Sequence, residues 1–116
     1  MKRSMGKSKR SKACDISAKV RAEVRQRDGD KCIWCGRHLS HPQICHYISR
    51  GAGGLGIPQN LVCGCVTCHQ QADQGQHTDR YKLAMREHLK RHYHDWDETK
   101  LRYRKDVQDK DSCYLY

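Results

Sequence analysis

Four cysteines are arranged in two pairs whose spacing is typical of a metal site. Cys32 and Cys35 lie in the segment CIWCG, and Cys65 and Cys68 lie in CVTC. Two thiolates separated by two residues can face one ion from a tight turn, and a glycine after the second cysteine allows that turn. The pattern predicts one tetrahedral Zn²⁺ held by all four thiolates. Because four thiolates leave no position for water, the site is expected to be structural and to contribute to folding.

The other common use of cysteine is a disulfide framework. The first residues, MKRSMGKSKRSK, lack the apolar segment of a signal peptide, and no apolar run approaches membrane-spanning length. We therefore expect a reducing, cytoplasmic location, where paired cysteines bind zinc more often than they form disulfides. Cys63 is interpreted as a small buried residue. Cys14 and Cys113 fall in predicted tails and receive no role.

A second and different metal site is predicted beside the last cysteine. His69 directly follows Cys68, so it points from another side of the helix expected there. Asp73 lies four residues later, about one turn, and shares the face of His69. A nitrogen and an oxygen ligand on one helical face, with nothing else to complete the coordination shell, favour an open site for a divalent cation.

Composition indicates a small basic domain that needs a source of stability besides its core. The chain has 116 residues, of which 36% are hydrophobic, and it contains no Phe. Because the chain buries so little apolar surface, we expect a second source of stability, and zinc bound by the cysteines would supply it. The formal net charge is +10, and it stays strongly positive after four thiolates and one Zn²⁺ are counted. This charge points to nucleic acid before membranes or acidic small molecules.

The elements that must position these groups follow from periodicity and turn residues. The segment DISAKVRAEVRQRDGDKC predicts a helix with Ile16, Val20 and Val24 on one face, capped by either Asp15 or Ser17. A short strand at 44–48 precedes the glycine-rich loop RGAGGLG, and a second extended segment at 61–63 can pair with it. Further elements are a helix at 65–75, a helix from residue 78, and a short strand at 100–105. The expected organisation is a disordered basic arm at 1–14, a folded domain at 15–105 and a tail at 106–116.

At these positions the chain resembles a known family. The segments CIWCG, CHYISRGAGG and QNLVCGCVTCH, with the spacing between them, are similar to HNH endonucleases of ββα-metal fold, in the subtype stapled by a zinc site, and to small phage-encoded members. His46, Asn60 and His69 match the three letters of the motif. The resemblance covers residues 16–75 and, more loosely, the C-terminal helix. It implies a small α+β fold in which N-terminal and C-terminal helices flank the ββα-metal core.

The resemblance also implies a metal-dependent DNA endonuclease of low sequence specificity that leaves 5′-phosphate and 3′-hydroxyl ends. His46 would accept a proton from the attacking water. Mg²⁺ or another divalent ion such as Mn²⁺, bound by His69 and Asp73, would polarise the phosphate. Asn60 would hold the glycine loop, and Arg50 would bind a phosphate. Further phosphate contacts are expected from the basic arm, at Lys7, Lys9 and Arg10. The implied partner is double-stranded DNA, with a dimer or a phage DNA-processing protein as further partners, in the host cytoplasm.

One residue departs from the family pattern, and one alternative function stays open. Many members carry a metal-binding Asp or His immediately before the catalytic histidine, where this chain has Cys45. Either Cys45 faces the core and Asp73 completes the site, or the metal is softer than Mg²⁺. Strand alternation favours the first. The alternative function is a non-catalytic zinc module that binds nucleic acid, which explains the cysteines and the charge but not the spacing of His46, Asn60 and His69.

Overall fold

The computed structural model describes residues 8–104, which form helices and a two-stranded sheet. The helices and strands are α1 (Lys9–Cys14), α2 (Ala18–Asp28), β1 (Gln43–His46), β2 (Leu61–Gly64), α3 (Val66–Gln74) and α4 (Thr78–His92). Single turns of 3₁₀ helix lie at Arg50–Ala52, Pro58–Asn60 and Glu98–Lys100. The predicted small α+β architecture is confirmed. Within residues 8–104, no helix is long and apolar enough to cross a membrane.

The two strands pair antiparallel, as predicted. Gln43 lies opposite Gly64, and His46 lies opposite Leu61. The connection between the strands contains the glycine loop, and α3 begins two residues after β2 ends. This order brings the residues of β1, the end of the loop and the start of α3 into one small region.

Helix α2 covers one face of the sheet. Of the two expected caps, Ser17 is used, and its hydroxyl accepts a hydrogen bond from the Val20 N–H at 3.1 Å. The helix ends at Gly29, whose φ of 68° lies in the left-handed region that favours glycine. Val24 is fully buried against residues of both strands, while Val20 packs at the edge of the same cluster. The predicted apolar stripe is therefore the contact surface of α2.

Helix α4 and the residues that follow it cover the other face. Met85 and Leu89 are fully buried and pack with Cys45 and Val62 of the sheet. Because successive side chains of a strand point to opposite faces of the sheet, the side chain of Cys45 lies in this cluster and that of His46 lies on the other face.

The N-terminal segment differs from the expected disordered arm. Residues 1–7 lie outside the described residues, but residues 9–14 form α1, with Cys14 buried at its end. Contacts with the glycine loop hold it, among them a hydrogen bond from Arg10 to the Gly51 carbonyl at 3.0 Å and one from the Gly56 N–H to the Ala13 carbonyl at 3.0 Å. The expectation of disorder rested on the basic composition of this segment. Composition does not reveal hydrogen bonds that involve backbone groups, such as these.

The C-terminal residues also differ from expectation. The short strand predicted at 100–105 is replaced by the turn at Glu98–Lys100 and a single bridge between Arg102 and Gly54. Leu101 is fully buried, and its carbonyl accepts from the Leu55 N–H at 2.8 Å. This segment therefore closes over the glycine loop. The predicted tail at 106–116, including Cys113, lies outside the described residues.

Candidate metal centre and active site

The four paired cysteines come together at one point. The sulfurs of Cys32, Cys35, Cys65 and Cys68 all lie within 4.8 Å of one another, and those of Cys35 and Cys65 are 3.9 Å apart. A tetrahedral ion with metal–sulfur bonds of about 2.3 Å requires sulfurs about 3.8 Å apart. The cluster therefore fits zinc. No disulfide joins any of the seven cysteines within residues 8–104.

Local backbone geometry presents these thiols. The turn after Cys32 is closed by a 2.8 Å hydrogen bond from the Gly36 N–H to the Cys32 carbonyl, and Gly36 has a φ of 79°. Cys65 caps α3, and its sulfur accepts from the Cys68 N–H at 3.4 Å. Burial raises the pKa of Cys32, but hydrogen bonds, led by those from the backbone N–H groups of Cys35 and Cys65, together outweigh it and lower the pKa to about 7. The turn thus favours the thiolate that zinc requires.

Asn60 fastens the glycine loop. Its side chain is fully buried, and its carbonyl oxygen accepts from the Ile48 N–H at 2.8 Å. Its amide nitrogen donates to the carbonyls of Ile48 at 3.1 Å and Leu55 at 2.9 Å. Within the loop, a Cβ on Gly54 would lie 1.6 Å from the Ile48 oxygen, so the backbone approaches too closely for any other residue. The loop that follows β1 is therefore rigidly set.

His46 projects from the end of β1 into a shallow concavity. Its Nε2 lies 3.1 Å from the carbonyl oxygen of Cys14. Since a carbonyl can only accept, Nε2 carries the proton of the neutral ring and Nδ1 keeps its lone pair. Burial, followed by the positive charge of Arg50, lowers the pKa of His46 below its usual value, although the Cys14 carbonyl opposes this. The imidazole is therefore neutral near pH 7, with Nδ1 able to accept a proton.

His69 and Asp73 meet on one face of α3, as their spacing predicts. The His69 Nε2 lies 3.3 Å from a carboxylate oxygen of Asp73, and both side chains are partly exposed. The His69 Nδ1 lies 2.6 Å from the Gln43 side-chain oxygen, which orients the ring as an outer-shell acceptor orients a metal-binding imidazole. With Nδ1 as the donor, a bare Nε2 and a carboxylate oxygen face one another. Such a pair of acceptors fits a divalent cation.

These groups occupy two adjoining concavities. One is lined by His46 and Arg50, and the other by His69 and Asp73. The two share a wall formed by residues from α2 and β1, namely Arg21 and Ile44. A ligand that contacts both His46 and His69 must therefore cross this wall.

Two of the predicted phosphate-binding residues, Arg50 and Arg10, make contacts within the protein. Arg50 is 45% exposed, but its guanidinium donates to the Cys14 carbonyl at 2.7 Å and pairs with Asp15 at 2.9 Å. Arg10 contacts the glycine loop, and Lys9 is exposed on α1. Lys7 lies outside the described residues. Arg50 therefore holds the N-terminal segment beside His46.

Cys45 is excluded from the open site. It is 1% exposed and packs against Met85 and Leu89, and burial raises the pKa of its thiol. Cys45 stands where many HNH endonucleases have a metal-binding Asp or His, and two explanations were open: a core position or a metal softer than Mg²⁺. The structure has Cys45 in the core. Sequence reasoning missed two residues of the site, Gln43 and the carbonyl of Cys14. Gln43 carries no local signal because its partner lies 26 positions away, and a backbone carbonyl has no residue type to recognise.

A further cluster of possible ligands is formed by Asp28, His88 and His92. The Asp28 side chain is fully buried and accepts from His88 Nε2 at 2.8 Å and from the Arg27 guanidinium at 2.7 and 3.0 Å. It also accepts from the Cys63 N–H at 2.9 Å. Both carboxylate oxygens are thus occupied by donors, and the Arg27 charge would repel a cation. We assign this cluster to the attachment of α2 to α4 and the sheet.

Comparison with known proteins supports the fold. No family model matches the chain, and no curated protein matches it. The solved structure of the Type IV phosphorothioation-dependent restriction endonuclease ScoMcrA is similar, with a TM-score of 0.56 and 21% sequence identity. The match covers 66% of this chain and 19% of that one, so the matched part of this chain spans about a fifth of that protein's chain. At this identity the likeness shows a shared fold.

Proposed function

We propose that this chain is a metal-dependent DNA endonuclease of the HNH class, with a ββα-metal core stapled by structural zinc. One observation carries the proposal: an imidazole with a free Nδ1 and a His–Asp acceptor pair occupy adjoining concavities. A general base next to a cation site is an arrangement that can hydrolyse a phosphodiester, because the base activates water and the cation stabilises charge on the phosphate. The shared fold with part of a restriction endonuclease supports the same conclusion.

In this proposal His46 is the general base. Its Nδ1 accepts a proton from the water that attacks phosphorus, while Nε2 keeps its hydrogen bond to the Cys14 carbonyl. That bond fixes both the tautomer and the ring orientation. As the proton arrives, the Cys14 carbonyl also stabilises the developing positive charge of the imidazolium.

His69 and Asp73 are the proposed ligands of the catalytic cation, Mg²⁺ or Mn²⁺. When bound, the cation supplies charge stabilisation at the phosphate and at the leaving 3′ oxygen. Gln43 keeps the Nε2 of His69 directed toward Asp73. Asn60 is a positioning residue that contacts no substrate, because its amide is fully used by Ile48 and Leu55 in holding the loop next to His46.

The substrate is proposed to be double-stranded DNA, attracted by the basic surface. The net charge of +10 and the exposed Lys9 supply sequence-independent attraction to phosphates. The products would carry 5′-phosphate and 3′-hydroxyl ends. A purely DNA-binding zinc module would need the charge and the four cysteines, but it would not need a pinned loop that aims a neutral histidine.

A plasmid-nicking assay tests the proposal. Parent protein and a His46→Ala variant purified in the same way are incubated with supercoiled plasmid in Mg²⁺, in EDTA, and in EDTA followed by excess Mg²⁺. The expected result is nicking by the parent that EDTA stops and Mg²⁺ restores, with zinc content measured to show that the structural site stayed loaded. Equal nicking by parent and variant would reveal a contaminant, and the binding-module alternative would then be the better account.

A further inference from the structure

Arg21 lies where the two concavities of the proposed site meet. It is exposed on α2 and lines both the concavity of His46 and that of His69 and Asp73. Among residues 8–104, the only other residue that lines both is the apolar Ile44. Arg21 therefore supplies the polar side chain at the boundary between the base and the cation site.

Among the described residues, no acidic side chain pairs with the Arg21 guanidinium. Within the described part of the chain, its side chain forms no hydrogen bond or ion pair. The neighbouring arginines differ, since Arg25 pairs with Asp30 at 2.6 Å, Arg27 with Asp28 at 2.7 Å, and Arg50 with Asp15 at 2.9 Å. Arg21 is thus the arginine at this site whose donors are available to a ligand.

We propose that Arg21 binds the scissile phosphate, an inference that rests on the nuclease function proposed above. A phosphate attacked by water from the His46 side and neutralised from the His69 side must sit at the boundary that Arg21 lines. The planar guanidinium can donate two parallel hydrogen bonds to non-bridging phosphate oxygens. Arg21 takes the position that sequence reasoning gave to Arg50, whose guanidinium the structure commits to Cys14 and Asp15.

The contact acts during the reaction as well as in binding. As the bond from water oxygen to phosphorus forms and the bond from phosphorus to the 3′ oxygen breaks, the proton of water passes to His46 Nδ1 and the 3′ oxygen takes a proton from solvent. Negative charge spreads over the non-bridging oxygens in this transition state. A positive charge held against those oxygens stabilises the transition state and lowers the barrier. Arg21 should therefore affect kcat more than KM.

The test compares Arg21→Ala and Arg21→Lys with the control Lys19→Ala. Lys19 is exposed on the same helix and lines neither concavity, so the control removes one positive charge outside the proposed site. Cleavage of a labelled duplex oligonucleotide is measured at saturating and subsaturating DNA. Arg21→Ala should lower kcat/KM by about 10- to 100-fold, mostly through kcat. Arg21→Lys should recover part of the rate because it keeps charge without the fork. Lys19→Ala should stay within about twofold of the parent, since it removes only a screened surface charge.

A binding measurement in EDTA separates the possible failures. Loss of one phosphate contact should make the slope of log Kd against log salt shallower by about 0.9 for Arg21→Ala. If parent and Lys19→Ala cleave in a metal-dependent way and Arg21→Ala cleaves equally fast, the role of Arg21 is refuted while the nuclease function stands. If the parent itself does not cleave, the nuclease function fails and the role at a scissile phosphate fails with it. Matching thermal melts of all variants would show that the rates report the site.

Discussion

Replacing Asp28 with Asn should strongly destabilise the fold. The Asp28 side chain is fully buried. Each carboxylate oxygen accepts two hydrogen bonds: one oxygen from Arg27 Nε and His88, the other from Arg27 Nη2 and the Cys63 N–H. In Asp28→Asn, whichever oxygen becomes an amide nitrogen faces two donors. The Arg27 side chain, itself only 10% exposed, loses its counter-charge.

The magnitude follows from these contacts. Breaking a buried ion pair by removing one partner costs about 3–5 kcal/mol. Arg27 keeps hydrogen bonds to the carbonyls of Pro58 and Leu61 and to the Tyr93 hydroxyl, which favours the lower end of that range. For a domain of this size, about 3 kcal/mol corresponds to a melting temperature lower by roughly 12–24 °C.

The control is Asp30→Asn. Asp30 also pairs with an arginine two residues from Arg27, at 2.6 Å, but the two side chains are 36% and 35% exposed. An exposed pair contributes about 0.2–1 kcal/mol, and Asn tolerates the positive φ of 55° at this position. Thermal melts of zinc-loaded protein at neutral pH compare the variants. Equal melting temperatures for Asp28→Asn and Asp30→Asn would refute the assignment of the buried cluster to attachment of α2.

Two further predictions concern the zinc site and the general base. Purified protein should contain about one tightly bound zinc per chain. Replacing Cys32, Cys35, Cys65 or Cys68 with Ser should abolish cooperative melting, whereas Cys113→Ser should not. Metal-free protein that melts at an unchanged temperature would contradict this prediction. Because burial lowers the pKa of His46, single-turnover cleavage should be nearly constant above neutral pH and decline in acid with a midpoint below about 6.5. A midpoint at or above that value would mean that another group limits the rate.

Local spacing was enough to predict the parts of the fold made by nearby residues. The CxxC pairs converge, the strand carrying His46 pairs with the one that follows Asn60, and His69 meets Asp73 because four residues make about one helical turn. The strand pairing and the His–Asp contact depend on regular backbone. A short turn sets each cysteine pair, and the two pairs, with Cys35 and Cys65 30 positions apart, were expected to meet because one tetrahedral zinc ion takes four ligands. The hydrogen bonds of Asn60 to the glycine loop were also predictable from nearby sequence, because its partners lie only 5 and 12 positions away.

Contacts between distant or backbone groups could not be predicted in this way. The Cys14 carbonyl beside His46 and the attachment of α1 depend on backbone atoms that every residue type carries. The pairing of Asp28 with His88 joins positions 60 residues apart, which no periodicity reveals. Arg50 was expected to bind phosphate from its place on the loop, but its pairing with Asp15 depends on how the N-terminal segment folds back.

The central claim is that His46 is a base and that His69 belongs to a cation site separate from structural zinc. The most direct measurement is single-turnover DNA cleavage by His46→Ala and His69→Ala across a Mg²⁺ or Mn²⁺ titration, with zinc content determined for each protein. His46→Ala should lose about 10²–10⁴ in rate at every metal concentration, because added metal cannot replace a missing base. His69→Ala should also lose cleavage but recover in part as the metal is raised, and both variants should retain their zinc. Loss of zinc from His69→Ala, or cleavage by His46→Ala at the parent rate, would contradict the account.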